Sequence, residues 1–482
     1  MSMNTLKRRL QSRHLTMIAL GGSIGTGLFL TSGMSIHSAG PGGAVLGYGL
    51  IAIMVYFLMT SLAEMSTYAP TTGTFCEYSG QYVDPAFGFA MGWNYWFSLS
   101  ISIAVDILSA AFIMTFWFPD ANTLQWSGLF YVVIFGINLF TVKLFGETEY
   151  FLSMVKVSFI IIFIIVGGLT IVGMLGHNAA VNFSNWTIGD APFHGGGYAV
   201  VGVLLLAGFS FQGTELVGVA AGEAKTPQKS VPKAIKMTFW RILIFYLLSL
   251  VVISFLIPYT SPSLASSHVT MSPFTLIFQQ AGLQFAASLT NAIILVAVLS
   301  TGNANMYSAT RIMWYLAKSH QGPKSIAKVS RSGVPYMALI ITAIAGSAFL
   351  LTYKFQNGVI FHWLVNISSL AGFVVWFGIA LSHYRFRRAY LAQGFDMAAL
   401  PYRSKLFPLA PVIAMVLIAA IIIGQPLNAI VSHEFTWGTF FSTYMGVIVF
   451  FIIGIGYKIK HHTRLIPLDK CVFHHKQGDP SP

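Results

Sequence analysis

Gly21-Gly22-Ser23-Ile24-Gly25-Thr26-Gly27 sits in the middle of a long apolar run at roughly 16–37, where a membrane helix would lie deep in the bilayer. Four glycines in seven residues weaken a helix enough to unwind it. Irregular backbone at that depth is tolerated only where protein, ligand or a water-lined cavity satisfies it. The plain alternative is helix packing, since Gly21 and Gly25 make a GxxxG pair. A P-loop is excluded because no Gly-Lys-Ser/Thr follows. A second stretch, Gly208-Phe209-Ser210-Phe211-Gln212-Gly213-Thr214-Glu215, interrupts the run at 199–222. Both stretches place a serine shortly before Gly-Thr: Ser23 with Gly25-Thr26, and Ser210 with Gly213-Thr214.

Working outward, similar runs fall at roughly 44–68, 87–118, 126–142, 152–175, 239–258, 284–316, 336–353, 361–383, 407–424 and 439–457, which makes twelve expected spans. Composition agrees. Of 482 residues, 55% are apolar and only 9% charged, far below the roughly 25% of a soluble domain. The first run is too long for a secretory h-region, and no small-x-small cleavage site follows it, so it is read as span one.

The net charge of +13 would suggest nucleic acid in a soluble protein. Here 24 of the 27 Lys and Arg residues fall at the N-terminal end or in alternate loops on that same side. The opposite loops, around 119–125, 176–198, 259–283 and 425–438, carry none, and only Lys354 sits near that side. By the positive-inside rule both termini are cytosolic, and the excess is topology rather than nucleic-acid binding. Cys76 and Cys471 then share the reducing side, so no disulfide is expected. Sequons at Asn182 and Asn185 are three-residue patterns of little weight. The tail from Lys458 is expected to be poorly ordered.

Spans one and six open two groups of five. Five is odd, so the second group enters the membrane from the other face. Paired breaks at corresponding positions of inverted repeats point to the substrate site of a solute carrier. Exposed helix N-termini near Gly25-Thr26-Gly27 and Gly213-Thr214 suit a carboxylate. Free carbonyls at the ends of the preceding half-helices suit an ammonium group. Together they fit an α-amino acid.

A charge at the bilayer centre costs about 2.5–3.5 kcal/mol, so each one is a functional candidate. Asp106 shares a helical face with Ser98, Ser102 and Ala110; it is either a structural hydrogen-bonding acid or a counter-charge for a cationic side chain or a proton. Glu215 directly follows the second break and is a candidate proton carrier. Lys156 either snorkels to the surface or faces the first break and serves proton coupling. Span eight sets Ser300, Asn303, Tyr307 and Arg311 on one face, with Arg311 read as a gate or ion-pair residue and Glu64 as a structural partner. The thirteen histidines show no metal-ligand spacing, and no nucleophile–base pattern suggests an enzyme.

On these residues the chain resembles the amino-acid permeases of the amino acid–polyamine–organocation superfamily, and within it the bacterial lysine-specific permeases. The resemblance is carried by RHLTMIALGGSIGTGLF at 13–29, MGWNYWFSLSISIAVDI at 91–107, SNWTIGDAPFHGG at 184–196, GFSFQGTELVGVAAGEAKTPQKSVPKAI at 208–235 and SHYRFRRAYLAQG at 382–394. It departs from the usual pattern at 299–305 and 318–322. The resemblance implies an all-α membrane protein with a leucine-transporter-like fold: a first five-helix repeat at 16–175, an inverted second at 176–383, and helices eleven and twelve at 384–457. A cytosolic segment at 1–15 and a cytosolic tail at 458–482 flank them. It implies proton-coupled import of L-lysine across the inner membrane by alternating access, with no cofactor beyond the proton. Membrane lipid and a regulatory membrane partner are its expected associates. Arginine, ornithine or a neutral amino acid is the alternative cargo, and a sensor that transports little is the alternative class. The family's substrate segments map onto Ser23, Gly25, Thr26 and Gly27, and onto Phe209, Phe211, Gly213 and Thr214. Span ten would add Asn366, Ser368 or Ser369, and span eight Asn303. In proton-coupled relatives a helix-five lysine occupies the space of a sodium ion, and the resemblance sets Lys156 at that position. Asp106 and Glu215 are the candidates for the lysine ammonium, with Phe209 and Phe211 offering aromatic faces.

Overall fold

The computed structural model describes residues 11–473 apart from 141, 176–180, 223, 266–271, 281–283, 331–332 and 432–435. Lys7, Arg8, Arg9, Arg331, Lys476 and the His474-His475 pair lie outside the described residues. The fold is helical: α1 Ser12–Ser23, α2 Ser32–Tyr68, α3 Thr74–Tyr82, α4 Pro85–Met114, α5 Thr123–Asn138, α6 Val142–Ile171, α7 Gly196–Phe211, α8 Leu216–Ala221, α9 Pro227–Leu256, α10 Pro273–Gln280, α11 Gln284–Lys318, α12 Tyr336–Gly346, α13 Asn357–Ala392, α14 Leu409–Val431 and α15 Trp437–His461.

Among the described residues, ten helical segments are long and apolar enough to cross a membrane. One of them, Leu15–Tyr68, has 54 residues, or about 80 Å of helix against a hydrocarbon core of about 30 Å. It bends at Gly40, whose φ of 72° only glycine adopts readily. There Gly42 and Gly43 donate their N–H groups to the Pro192 carbonyl at 2.9 and 3.2 Å. At the other extreme α5 has 16 residues, about 24 Å. Several helices outrun their apolar runs: α6, α9 and α13 start before 152, 239 and 361. Asp84 caps α4 by accepting from the Ala86 N–H at 2.8 Å, with Pro85 in the first turn.

α4 is buried nearly all round, packed between α11 and α13, while α2 packs on α7 and α9. A helix with no water-facing side belongs at the centre, and its polar stripe of Ser98, Ser102 and Asp106 is enclosed there as well. The periphery presents Val132, Ile344, Ile423 and Ile452 to the outside, a surface fit for lipid rather than water. The basic ends meet on one face: Arg13 pairs with Glu147 at 3.2 Å, and Lys458 with Asp84 at 2.5 Å. On the opposite face Asp190 accepts from Tyr259 at 2.8 Å and pairs with His194 at 2.7 Å.

The tail corrects the expectation of disorder from Lys458. Helix α15 runs to His461, and the chain beyond is fastened through Phe473. The Ile466 N–H donates to the Val83 carbonyl at 2.9 Å, and Gln393 donates to the Leu468 and Cys471 carbonyls at 2.9 Å each. Phe473 stacks on Tyr82 with ring centres 5.7 Å apart. Burial alone would raise the Asp84 carboxyl, but hydrogen bonds from Lys458, Thr463 and the Ala86 N–H hold it below the usual carboxylate value.

Candidate functional site

Both glycine-rich stretches are broken, and the breaks touch. After α1 the chain leaves the helix at Ile24–Gly25 and resumes through a π-helical turn over Gly27–Thr31. After α7, Gln212 is extended and Gly213 takes a φ of 94° before the six-residue α8 begins. A Cβ on Gly213 would stand 2.4 Å from the Gly22 carbonyl oxygen, and one on Gly27 2.4 Å from the Ser210 Cα. Only glycine permits these approaches. The packing alternative holds alongside the break, since a Cβ on Gly21 would meet Glu149 Oε1 at 2.0 Å and one on Gly25 would meet Thr301 Oγ1 at 2.2 Å.

The carbonyls expected to be free are already taken. Gly21 O accepts from Lys156 Nζ at 2.6 Å, and Ser23 O from the Tyr246 hydroxyl at 2.7 Å. Thr301 Oγ1 lies 3.2 Å from both Gly21 O and Ile24 O. The second break is fastened by an acid. Glu215 Oε1 accepts from the Gly213 N–H and from Tyr95, and Oε2 from Trp376 Nε1, each at 3.2 Å. The helix-six N–H group expected for a carboxylate is therefore occupied by the protein itself.

Lys156 is buried, which excludes snorkelling. Its Nζ lies 3.9 Å from Glu149 Oε1, which also accepts from Ser300 at 2.7 Å. Glu149 Oε2 is buried and has no hydrogen-bond partner among the described residues. Such an orphaned oxygen is rare in a folded protein. Glu149 escaped the sequence reading because the apolar run was started at residue 152. Its signal was its spacing: two helical turns before Lys156, on the same face.

Between the breaks lies a small cavity of about 30 Å³, room for water but not for a ligand that usually needs about 300–1,000 Å³. Ser23, Gly25, Thr26, Gly27, Asp106, Phe209, Gly213 and Glu215 line it. Phe211 is not among the lining residues; it packs on Tyr246 with ring centres 4.9 Å apart. Thr214 turns its hydroxyl back to the Phe211 carbonyl at 3.0 Å, and Ser369 donates to the Leu205 carbonyl at 2.7 Å. Asn303 faces α5, where Asn138 donates to it at 2.7 Å. Asp106 accepts from Thr26 at 2.8 Å on one oxygen and from Asn305 at 2.9 Å on the other. Asn305 and Thr301, one turn apart, carry the cavity-facing side of α11. Sequence reasoning chose the 300–303–307–311 stripe because polarity cannot select a face over 300–314, where α11 is buried all round. Tyr95 and Gln212 also line the cavity, and neither was singled out. Arg311 lies over the Tyr307 ring at 3.8 Å. Glu64 accepts from Arg387 Nε at 2.8 Å and from the Ser404 N–H at 2.7 Å, the structural partnership expected of it.

Comparison with known proteins adds the lineage. The amino acid permease family profile spans residues 14–466. The lysine-specific permease LysP of Escherichia coli (strain K12) is 50% identical over 97% of this chain and 96% of its own length. LysP of Lactococcus lactis subsp. cremoris (strain MG1363) is 48% identical over 96% of this chain and 92% of its own. The histidine permease HisP of the same organism is also 48% identical, over 97% of this chain and 98% of its own.

Proposed function

The chain belongs to the amino acid permease family, transporters rather than enzymes, and on that premise we propose that it imports L-lysine, driven by protons, across the inner membrane by alternating access. Dividing the 54-residue run at Gly40 and counting α5 as a span turns ten segments into twelve. The even number and the basic face support a cytosolic position for both termini. Spans one to five and six to ten then form the inverted repeats, with the contacting breaks at the first helix of each.

The observation that carries the substrate is the charge of the cavity lining. Two buried carboxylates, Asp106 and Glu215, line it, and among the described residues no Lys or Arg does. Lysine has two ammonium groups, and with the break carbonyls already engaged each ammonium meets one carboxylate. The N–H groups of Leu28 and Phe29 donate to the Gly25 carbonyl at 3.1 Å each, so the substrate carboxylate takes those of the break ahead of them, at Thr26 and Gly27, near the first break's positive end. Phe209 covers the aliphatic chain. The cavity must widen to admit a solute, and a wider space of about 730 Å³ on the basic face, lined by Thr71, Glu77, Gly222 and Tyr315 among others, supports a cytosolic exit.

Coupling falls to Lys156, Glu149 and Glu215. A charged Lys156 holds the Gly21 carbonyl and balances Glu149, so moving a proton within this pair loosens the first break. The proton is the only coupling species required. Full-length similarity to two relatives named lysine-specific, at 50% and 48% identity, supports the lysine reading, and 48% identity to one named for histidine makes histidine the second reading. Arginine, ornithine and a low-transport sensor with a membrane partner are further outcomes of one experiment. In proteoliposomes with an imposed pH gradient, labelled lysine is expected to accumulate and to be displaced by lysine better than by histidine, arginine or leucine. Accumulation of histidine but not lysine would replace the substrate, and binding without accumulation would favour the sensor.

A further inference from the structure

A second cavity, of about 520 Å³, opens on the basic face between α2, α9 and the loop leading into α14. Four cations, Lys233, Lys236, Arg403 and Lys405, line it, all exposed. Among the described residues none of the four makes an ion pair. The carboxylate beneath them, Glu64, is engaged by Arg387 and by the Ser404 N–H, so the cavity mouth is left strongly positive. Tyr56, Trp240 and Tyr402 frame it, aromatic residues of the kind that settle at the membrane–water boundary.

What lies beyond the mouth identifies the occupant. On α9, Trp240, Ile244 and Leu248 recur every fourth residue and are exposed, and on α14 Leu409, Val412 and Val416 are exposed. These two apolar tracks begin at the basic mouth and run into the bilayer depth. A soluble anion would use only the cations. A molecule with a phosphate head and acyl chains would use both. The geometry points to a binding site for an anionic glycerophospholipid, its phosphodiester held by Lys233, Lys236, Arg403 and Lys405 and its chains laid along α9 and α14. Basic pockets between membrane helices are suited to such headgroups. The site is separate from the central cavity, so it would bind lipid with or without solute.

The test uses Trp240 as reporter, with a Trp240→Phe variant subtracted to remove the other tryptophans. The full chain is placed in nanodiscs doped with brominated phosphatidylglycerol or brominated phosphatidylcholine. Brominated phosphatidylglycerol is expected to quench the Trp240 emission at lower mole fraction. In K236Q/R403Q that preference should fall, by about fivefold per cation removed. The charge-matched K324Q/K328Q, on the same face but away from the mouth, should retain it. Equal quenching by the two lipids overturns the proposal, as does equal loss in both variants. Recovery of Trp240 emission by soluble glycerol phosphate would show a soluble-anion site and overturn the lipid reading.

Discussion

The two helix breaks look alike in sequence and are fastened in opposite ways. At the first, carbonyl oxygens are held by side chains from elsewhere: Lys156 on α6, Tyr246 on α9 and Thr301 on α11. At the second, a backbone N–H and two aromatic donors converge on Glu215, a residue of the break itself. The first break therefore depends on a cation brought by tertiary packing, while the second carries its own anion. A break tied by a distant helix can be released when that helix moves. One tied by its own carboxylate is released by changing that group's charge or by offering it a competing cation.

The largest expected effect lies at the first break. Lys156→Met should destabilise the protein by about 3–5 kcal/mol, because it leaves Glu149 as an uncompensated buried charge. Thermal unfolding in detergent checks this, and Glu149→Gln added to Lys156→Met should recover much of the loss. Wild-type stability in the single variant would mean that the cation does not hold the break. At the second break, Glu215→Gln keeps shape but removes a charge that accepts three hydrogen bonds. A loss of about 1.5–3 kcal/mol per charged bond forfeited predicts lysine accumulation lower by tenfold or more. Counterflow with Asp106→Asn beside it would tell which acid meets the side-chain ammonium, since a lysine analogue lacking the ε-amine should be insensitive to one of the two changes. Gly213→Ala should be impaired by about 1–3 kcal/mol through its positive φ, with a further cost from the Gly22 oxygen; recovery of wild-type transport there would argue that the breaks do not touch.

The smallest effect belongs outside the membrane. Hydrogen bonds from His194 and Tyr259 hold the exposed Asp190 carboxyl down at about 2. A lowered carboxylate contributes its stability above its ordinary value of about 4 and loses it as pH falls through the lowered one. Hydrogen exchange at Gly195, whose N–H reaches Asp190 at 3.4 Å, taken relative to the rate of an unstructured peptide at each pH, should thus change little from pH 5 to 4 and rise as pH approaches 2. Asp190→Asn should remove that rise.

Much of this was legible in the residues. Glycine clusters in apolar runs announce broken membrane helices, and an isolated acid such as Asp106 announces an interior face. Glu149 was hidden because a polar residue near the edge of an apolar run reads as the end of the span. Asn303 was preferred to Asn305 because hydropathy has no period over 300–314, the stretch of α11 whose whole circumference is buried. The tail read as loose because its composition is polar, yet its backbone hydrogen bonds go to Val83 and Gln393, partners remote in sequence.

Composition, charge placement and glycine spacing by themselves determined that the chain lies in a membrane, which ends share a face and where the helices break. These properties arise from transfer free energies and backbone propensities that each residue carries wherever it is placed. Tertiary structure alone decided which side chains from other helices satisfy each break, that Lys156 turns inward to the Gly21 carbonyl, and which side of α11 meets the cavity. Those outcomes depend on partners more than a hundred residues apart, and no local property of the chain encodes a distance between them.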